Sequence, residues 1–165
     1  MKKPKISVLL AVRNGAAYLQ AALESISAQS LADYELIVID DGSSDPTPTI
    51  LDAWHDDRMI RLHNQESLGL AGALNRGLEI AKGDYIARHD ADDLSRPERL
   101  EAQTSYMDAH PDTVILRTAY DVIDEAGRQI ETQRQPLDDP AIRWQMLFHN
   151  AFCHSSVMLR RRTAA

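Results

Sequence analysis

Four short apolar runs, each ending in polar turn residues and each followed by apolar residues at helical spacing, constrain this chain more than any other feature. Ile6 to Val12, Tyr34 to Asp40, Ile60 to His63 and Tyr85 to His89 read as strands. Near-continuous apolar strands are buried on both faces, which is the pattern of a parallel sheet. Behind the first run, Tyr18, Leu19, Ala22, Leu23 and Ile26 recur on one helical face, while Gln20, Glu24 and Gln29 fall elsewhere. Behind the second, Asp45 is an N-cap and Pro46 a first helical residue, opening a helix through Ile50, Leu51 and Trp54. Gly69 to Ala81 forms a third helix, and Pro97 opens a fourth through Leu100 and Met107 to about His110. This alternation predicts an α/β fold with a doubly wound, mostly parallel sheet flanked by helices and right-handed crossovers. After Pro111 the rhythm changes. Val114 to Val122 and Gln129 to Thr132 are predicted strands around the hairpin signal Asp124 to Gly127, followed by a helix from Asp139 to Phe148 and a strand from Ser155 to Leu159.

The chain has 165 residues, 44% of them hydrophobic and 26% charged, which suits one compact domain over residues 1–165. A net charge of -7 argues against a nucleic-acid partner, and the one dense basic cluster is Arg160 to Arg162. Cys153 is the single cysteine, so no internal disulfide forms, and packing is its expected role. The basic start runs into Ile6 to Val12, an apolar run broken by Ser7 and leading to Arg13-Asn14; it is neither a signal peptide nor a transmembrane segment. The expected location is the cytoplasm, including its periphery at the inner face of the membrane. Arg160 to Ala165 carries no terminating signal, so the domain is expected to be incomplete at its C-terminus.

In an open parallel sheet, ligands bind beyond the carboxyl ends of the strands where the winding reverses. Val12-Arg13-Asn14, Asp40-Asp41 and Asp90-Ala91-Asp92-Asp93 occupy three such ends. No Gly-rich phosphate fingerprint follows the first strand, and no Gly-Lys-Ser/Thr loop is present, which disfavours dinucleotide and triphosphate sites. A crevice lined with carboxylates repels a diphosphate. A divalent metal, Mn²⁺ or Mg²⁺, reverses that sign by taking oxygen from one or two carboxylates and the rest from phosphate and water. Such an ion offsets the charge that develops on a diphosphate as a sugar leaves it, so glycosyl transfer fits.

Plainer roles compete at each position. Aspartates after strands often form turns or caps, and Asp45 is better read as a cap. Three acids in four residues repel one another unless something positive joins them, which favours Asp90 and Asp92 as metal anchors and leaves Asp93 to the turn. The six histidines, at 55, 63, 89, 110, 149 and 154, lack i, i+4 metal spacing and read mostly as surface or packing residues. His154 is the exception, opening a strand near the crevice.

Ile6 to Gly15, Leu36 to Asp45, Gly69 to Gly77, Gly83 to Asp93 and Arg96-Pro-Glu-Arg-Leu100 together resemble the family 2 glycosyltransferases of the GT-A fold, in order and at family spacing. The resemblance runs from about Ile6 to Leu159. It implies that Val12, Arg13, Asn14 and Asp41 contact the nucleoside, with Asp41 accepting from the base. Arg13 departs from the Tyr frequent in the family, so its backbone is the expected contact. It also implies that Asp90 and Asp92 form the DxD pair, Asp90 on the nucleotide side and Asp92 the direct metal ligand, and that the loop from Asn64 to Gly69 lies near ribose or diphosphate. Cys153 to Met158 resembles the segment closing the donor side of the acceptor pocket, which makes His154 an acceptor-side candidate.

The family's catalytic base lies in an acidic motif downstream of that segment. Nothing resembling it follows Leu159, so the base is expected beyond Ala165. The implied partners are a UDP-, dTDP- or GDP-linked sugar and a glycan or lipid-linked acceptor, in an inverting, metal-dependent transfer that builds cell-envelope polysaccharide. A non-catalytic nucleotide-sugar-binding fragment is the alternative. A phosphotransfer enzyme using Asp90 and Asp92 ranks below both, since that chemistry usually places its aspartates after the first strand.

Overall fold

A computed structural model describes residues 3–134, 138–148 and 150–161. Strands β1 (Ile6–Val12), β2 (Tyr34–Asp40), β3 (Met59–His63) and β4 (Tyr85–Asp90) alternate with helices α1 (Leu19–Ser27), α2 (Thr47–Ala53) and α3 (Gly69–Ile80), and α4 (Arg99–Ala109) follows β4. These four strands are parallel, in the order β3-β2-β1-β4. The sheet is completed by β8 (Val157–Arg160), antiparallel to β4, and β5 (Ile115–Arg117), antiparallel to β8. The expected α/β fold, with a mostly parallel sheet between helices, is therefore present.

Alternate residues of each strand feed two cores. Val8, Leu10, Leu36, Val38 and Ala87 meet Leu19, Leu23 and Ile26 of α1, Leu51 of α2 and Leu100 and Met107 of α4. On the other face, Leu9, Ile37, Ile39 and Ile86 meet Ala73 of α3. Fully burying each large side chain is worth roughly 1.5–3 kcal/mol, so the two faces together fix the register of β1, β2 and β4. Ser7, the polar break in the first run, is fully buried, and its hydroxyl donates to Glu35 Oε1 at 2.6 Å while accepting from Gly83 N at 2.8 Å. A Cβ on Gly83 would lie 2.4 Å from Ser7 N, so only glycine lets the turn into β4 pass this close to β1.

The second half departs from expectation in three places. Val114 to Val122 is two strands, β5 and β6 (Tyr120–Ile123), because β5 pairs with β8 in the main sheet whereas β6 pairs with β7 (Gln129–Gln133) in a separate two-stranded sheet. Ser155 to Leu159 is not one strand: His154–Ser156 forms a 3-10 turn, and only Val157 onward pairs with β4 and β5. Helix α5 (Asp139–Met146) is shorter than predicted and buries no residue. Among the described residues, no helix is long and apolar enough to cross a membrane. Arg162, the last member of the predicted basic cluster, and His149 lie outside the described residues.

Candidate functional site

Because β1 lies between β2 and β4, the winding reverses at β1, and the exits of β1, β2 and β4 share one end of the sheet. Hydrogen bonds lace these exits together. Asp41 N donates to Val12 O at 2.8 Å, Asn14 N donates to Ser43 Oγ at 3.0 Å, and Ser44 N donates to Asn14 Oδ1 at 2.8 Å. Asn14 holds a left-handed φ of 54°, which an asparagine tolerates better than most side chains. The N-cap of α2 falls on Pro46, one residue later than the predicted Asp45, whose Oδ1 accepts from Thr47 N at 3.0 Å and whose Oδ2 accepts from Ala16 N at 3.0 Å.

Asp41 is 4% exposed, and its carboxylate accepts four hydrogen bonds, from Asn64 Nδ2 (2.6 Å), Ser67 Oγ (2.7 Å), Leu68 N (2.9 Å) and Gly69 N (3.0 Å). Burial pushes this carboxyl up, but the Ser67 hydroxyl, the Leu68 and Gly69 N–H groups and the Asn64 amide outweigh it and hold it below the usual range. Asp41 thus ties the loop from Asn64 to Gly69 to the β2 exit and binds the first N–H of α3. Gly42, at φ 72°, packs its α-carbon against that loop, where a Cβ would meet Ser67 N at 3.2 Å. Asn64 Oδ1 in turn accepts from Arg76 of α3. Neighbouring Asp40 is fully buried, accepting from Ser43 N at 3.0 Å and lying 3.2 Å from His63 Nδ1.

The acidic segment leaves β4 alongside the β1 loop, with Ala91 Cβ 3.6 Å from where a Cβ on Gly15 would lie. Arg88 and Asp90, two residues apart on one strand, face the same way. The Arg88 guanidinium forks onto the Asp90 carboxylate, with Nη1 to Oδ2 at 3.1 Å and Nη2 to Oδ1 at 2.5 Å. Burial pushes the Asp90 carboxyl up, against the opposing pull of Arg88. Asp92 and Asp93 are exposed, and their carboxylates have no hydrogen bond or ion pair among the described residues. Among the described residues, no three His, Cys, Asp or Glu side chains converge as a metal cage. The arrangement still suits a hard divalent ion that takes most of its oxygens from phosphate, because such an ion needs only one or two carboxylates.

A cleft of about 910 Å³ opens beside Asp92 and Asp93, between the N-terminal end of α4 and the β6–β7 hairpin. Cys153, Ser155 and Ser156 line it, whereas His154, between them, is exposed and bonds instead to Asn150, with Nε2 3.0 Å from Nδ2. Arg96 Nη2 donates to Asp121 Oδ2 at 2.6 Å and joins the acidic segment to the hairpin. Half-buried Arg99 holds the floor, donating to Arg88 O at 2.8 Å and to Ser95 Oγ at 3.0 Å, and desolvation pushes it down to about 10. A second cleft, of about 580 Å³, lies at the start of β4, at the opposite end of that strand from the acidic segment, where Lys3 pairs with Asp84 and Lys5 with Asp108.

Arg88, His89 and Arg99 were not among the expected site residues; the period-two spacing of Arg88 and Asp90 was the available signal for the first. His89 is 2% exposed, and its Nδ1–H donates to Asp90 O at 2.6 Å, leaving Nε2 buried without a partner among the described residues. Burial, helped by Arg99 and Arg88, pushes it down to about 4. An unfolded histidine titrates near 6.5, so the unfolded chain takes up this proton first as pH falls. Stability is therefore expected to decline from about pH 6.5 to about pH 4, by on the order of 3 kcal/mol in all. His89→Leu should flatten that decline, as read by urea midpoints at pH 7 and pH 5; an unchanged decline would refute the assignment.

The fold, with its sheet winding reversing at β1, is of GT-A type. The chain matches the model of glycosyl transferase family 2 over residues 7–165 and belongs to that family. It is 38% identical to EpsE of Bacillus subtilis (strain 168) over 95% of this chain and 56% of that protein. It is 34% identical to the amylovoran biosynthesis glycosyltransferase AmsE of Erwinia amylovora, over 87% of this chain and 54% of the relative. The chain thus spans about half the length of these relatives. Among solved structures, S. aureus TarS 1-349 in complex with UDP-GlcNAc superimposes with a TM-score of 0.64 at 25% identity, over 68% of this chain and 33% of TarS 1-349. The mannosyltransferase PcManGT of Pyrobaculum calidifontis, in complex with GDP-Man and Mn²⁺, shares the fold with a TM-score of 0.71 at 21% identity, over 98% of this chain and 46% of that one.

Proposed function

We propose that this chain is the donor-binding part of an inverting glycosyltransferase that takes a sugar from a nucleoside diphosphate and delivers it to a glycan or lipid-linked acceptor. The observation that carries the reading is the convergence of the Asn14, Asp41 and Asn64–Gly69 loops beside an acidic segment in which Asp92 keeps an exposed carboxylate, unpaired among the described residues. The UDP-GlcNAc held by TarS supports the donor class, and the biosynthetic role in the name of AmsE supports a polysaccharide product.

In this reading Val12, Arg13 and Asn14 offer backbone and amide groups to the nucleoside, while Asp41 and Gly69 shape the base end of the crevice. Asp92 would anchor Mn²⁺ or Mg²⁺ directly, with Asp90 beside it on the nucleotide side and paired to Arg88; when bound, the ion would supply positive charge that offsets the charge developing on the leaving diphosphate. His154 sits on the turn at the rim of the cleft, where the acceptor would approach. Inversion needs a base on the sugar face opposite the leaving group. Asp90 and Asp92 serve the leaving-group side, and the lone pairs of Asp41 are already engaged, so none of the three is that base.

The test is to incubate residues 1–165 with labelled donor and a set of glycan and lipid-linked acceptors, measuring retained donor and transferred label together. Donor retention with little or no transfer is expected. Full transferase turnover by these residues would overturn the assignment of the base to a segment outside them.

A further inference from the structure

Arg88 is 8% exposed, and among the described residues its side chain bonds to Asp90 alone, while its Nε is buried without a partner. A buried guanidinium stripped of its counter-charge is strongly unfavourable, so Asp90 cannot be surrendered to a metal without stranding Arg88. The bidentate fork also fixes the orientation of the Asp90 carboxylate. Of the closely spaced acids, one is thereby neutralised from within, and the positive charge of Arg88 is held on the acidic segment at Asp90.

Resting on the donor-site reading above, we infer that Arg88 is a positioning residue that keeps Asp90 paired and makes metal binding depend on the nucleotide. Asp92 by itself offers too few oxygens to hold a divalent ion against that neighbouring charge. The diphosphate supplies the missing oxygens and negative charge, so metal and nucleoside diphosphate enter as one complex.

The experiment is a Mn²⁺ titration followed by the paramagnetic resonance of the unbound ion, with and without UDP, dTDP or GDP, on folded wild type, Arg88→Gln, Asp90→Asn and Asp92→Asn. Arg88→Gln removes a charge and frees a carboxylate, and should tighten nucleotide-free Mn²⁺ binding by about tenfold. It should shrink the gain from nucleotide by a similar factor. Asp90→Asn should retain nucleotide-dependent Mn²⁺ binding, and Asp92→Asn should lose it. A merely structural Arg88 would alter the melting temperature without tightening the bare metal. Wild-type nucleotide-dependent Mn²⁺ binding combined with unchanged or weaker bare-metal binding in Arg88→Gln would overturn the inference alone. If Arg88→Gln does not fold, equal losses in Asp90→Asn and Asp92→Asn would overturn it. Absence of nucleotide-dependent Mn²⁺ binding in the wild type would overturn the donor-site reading and this inference together.

Discussion

Asp92→Ala is expected to lower the affinity for a nucleoside diphosphate in the presence of Mn²⁺ by roughly a hundredfold, equivalent to about 2.7 kcal/mol. The size follows from the role: the carboxylate is the protein's direct hold on the ion, and without it the diphosphate loses the charge that compensates its own. Asp92 is exposed and bonds to nothing among the described residues, so its removal should leave the melting temperature near that of the wild type. Asp93→Ala is the control. Asp93 is equally exposed, and its backbone N–H closes the turn onto Asp90 O at 3.4 Å, a contact that alanine keeps. Calorimetric titration of both variants would separate a metal anchor from a general effect of negative charge, and equal losses would refute the anchor.

Asp41→Ala should be the most damaging change to the crevice itself. It strands the Asn64 amide, the Ser67 hydroxyl and the N–H groups of Leu68 and Gly69. Each stranded donor costs about 1–3 kcal/mol when buried and less where water reaches it, so a net loss of about 3 kcal/mol is expected. Donor binding should fall with it, because the loop from Asn64 to Gly69 loses its tie to β2. The pH dependence adds a signature. The Asp41 carboxyl is held below its ordinary value, so its contribution is fully present above pH about 4, the unfolded value, and is lost as pH falls through the lower folded value. Urea denaturation should therefore show a wild-type advantage over Asp41→Ala that is large at pH 7 and shrinks in strong acid. An advantage independent of pH would place the effect in packing rather than in the carboxylate.

The first half of the fold was legible because each strand run carried its own punctuation. Arg13-Asn14-Gly15, the Asp45 cap with Pro46, and Gly83-Asp84 mark boundaries that the folded chain respects to within a residue or two. The second half depends on distant partners. Ile115–Arg117 and Tyr120–Ile123 look alike in sequence, yet one pairs with β8, some forty residues on, and the other with its hairpin neighbour. No local pattern shows that β8 enters antiparallel between β4 and β5, or that His154 lies on a 3-10 turn ahead of it. Helix α5 shows the same limit: Trp144, Leu147 and Phe148 have the composition of a buried face but are 66%, 72% and 70% exposed.

In the site, residue placement was legible and charge balance was not. The strand ends predicted that Asn14, Asp41 and Asp90 would meet, since parallel strands deliver their exits to one side. That Asp41 would spend its lone pairs on four donors, and Asp90 on Arg88, follows from loop geometry and burial that the spacing of residues does not contain. Three acids in four residues call for a positive partner, and Arg88 is one such partner from within the chain.

The most direct measurement is calorimetric titration of the wild-type chain with UDP, dTDP and GDP, each with Mn²⁺ and with a chelator. Saturable binding of one of these nucleotides that requires the metal is the predicted result. Tight nucleotide binding unaffected by the chelator, or no binding of any of the three with Mn²⁺ present, would contradict a donor site whose metal is anchored at Asp92.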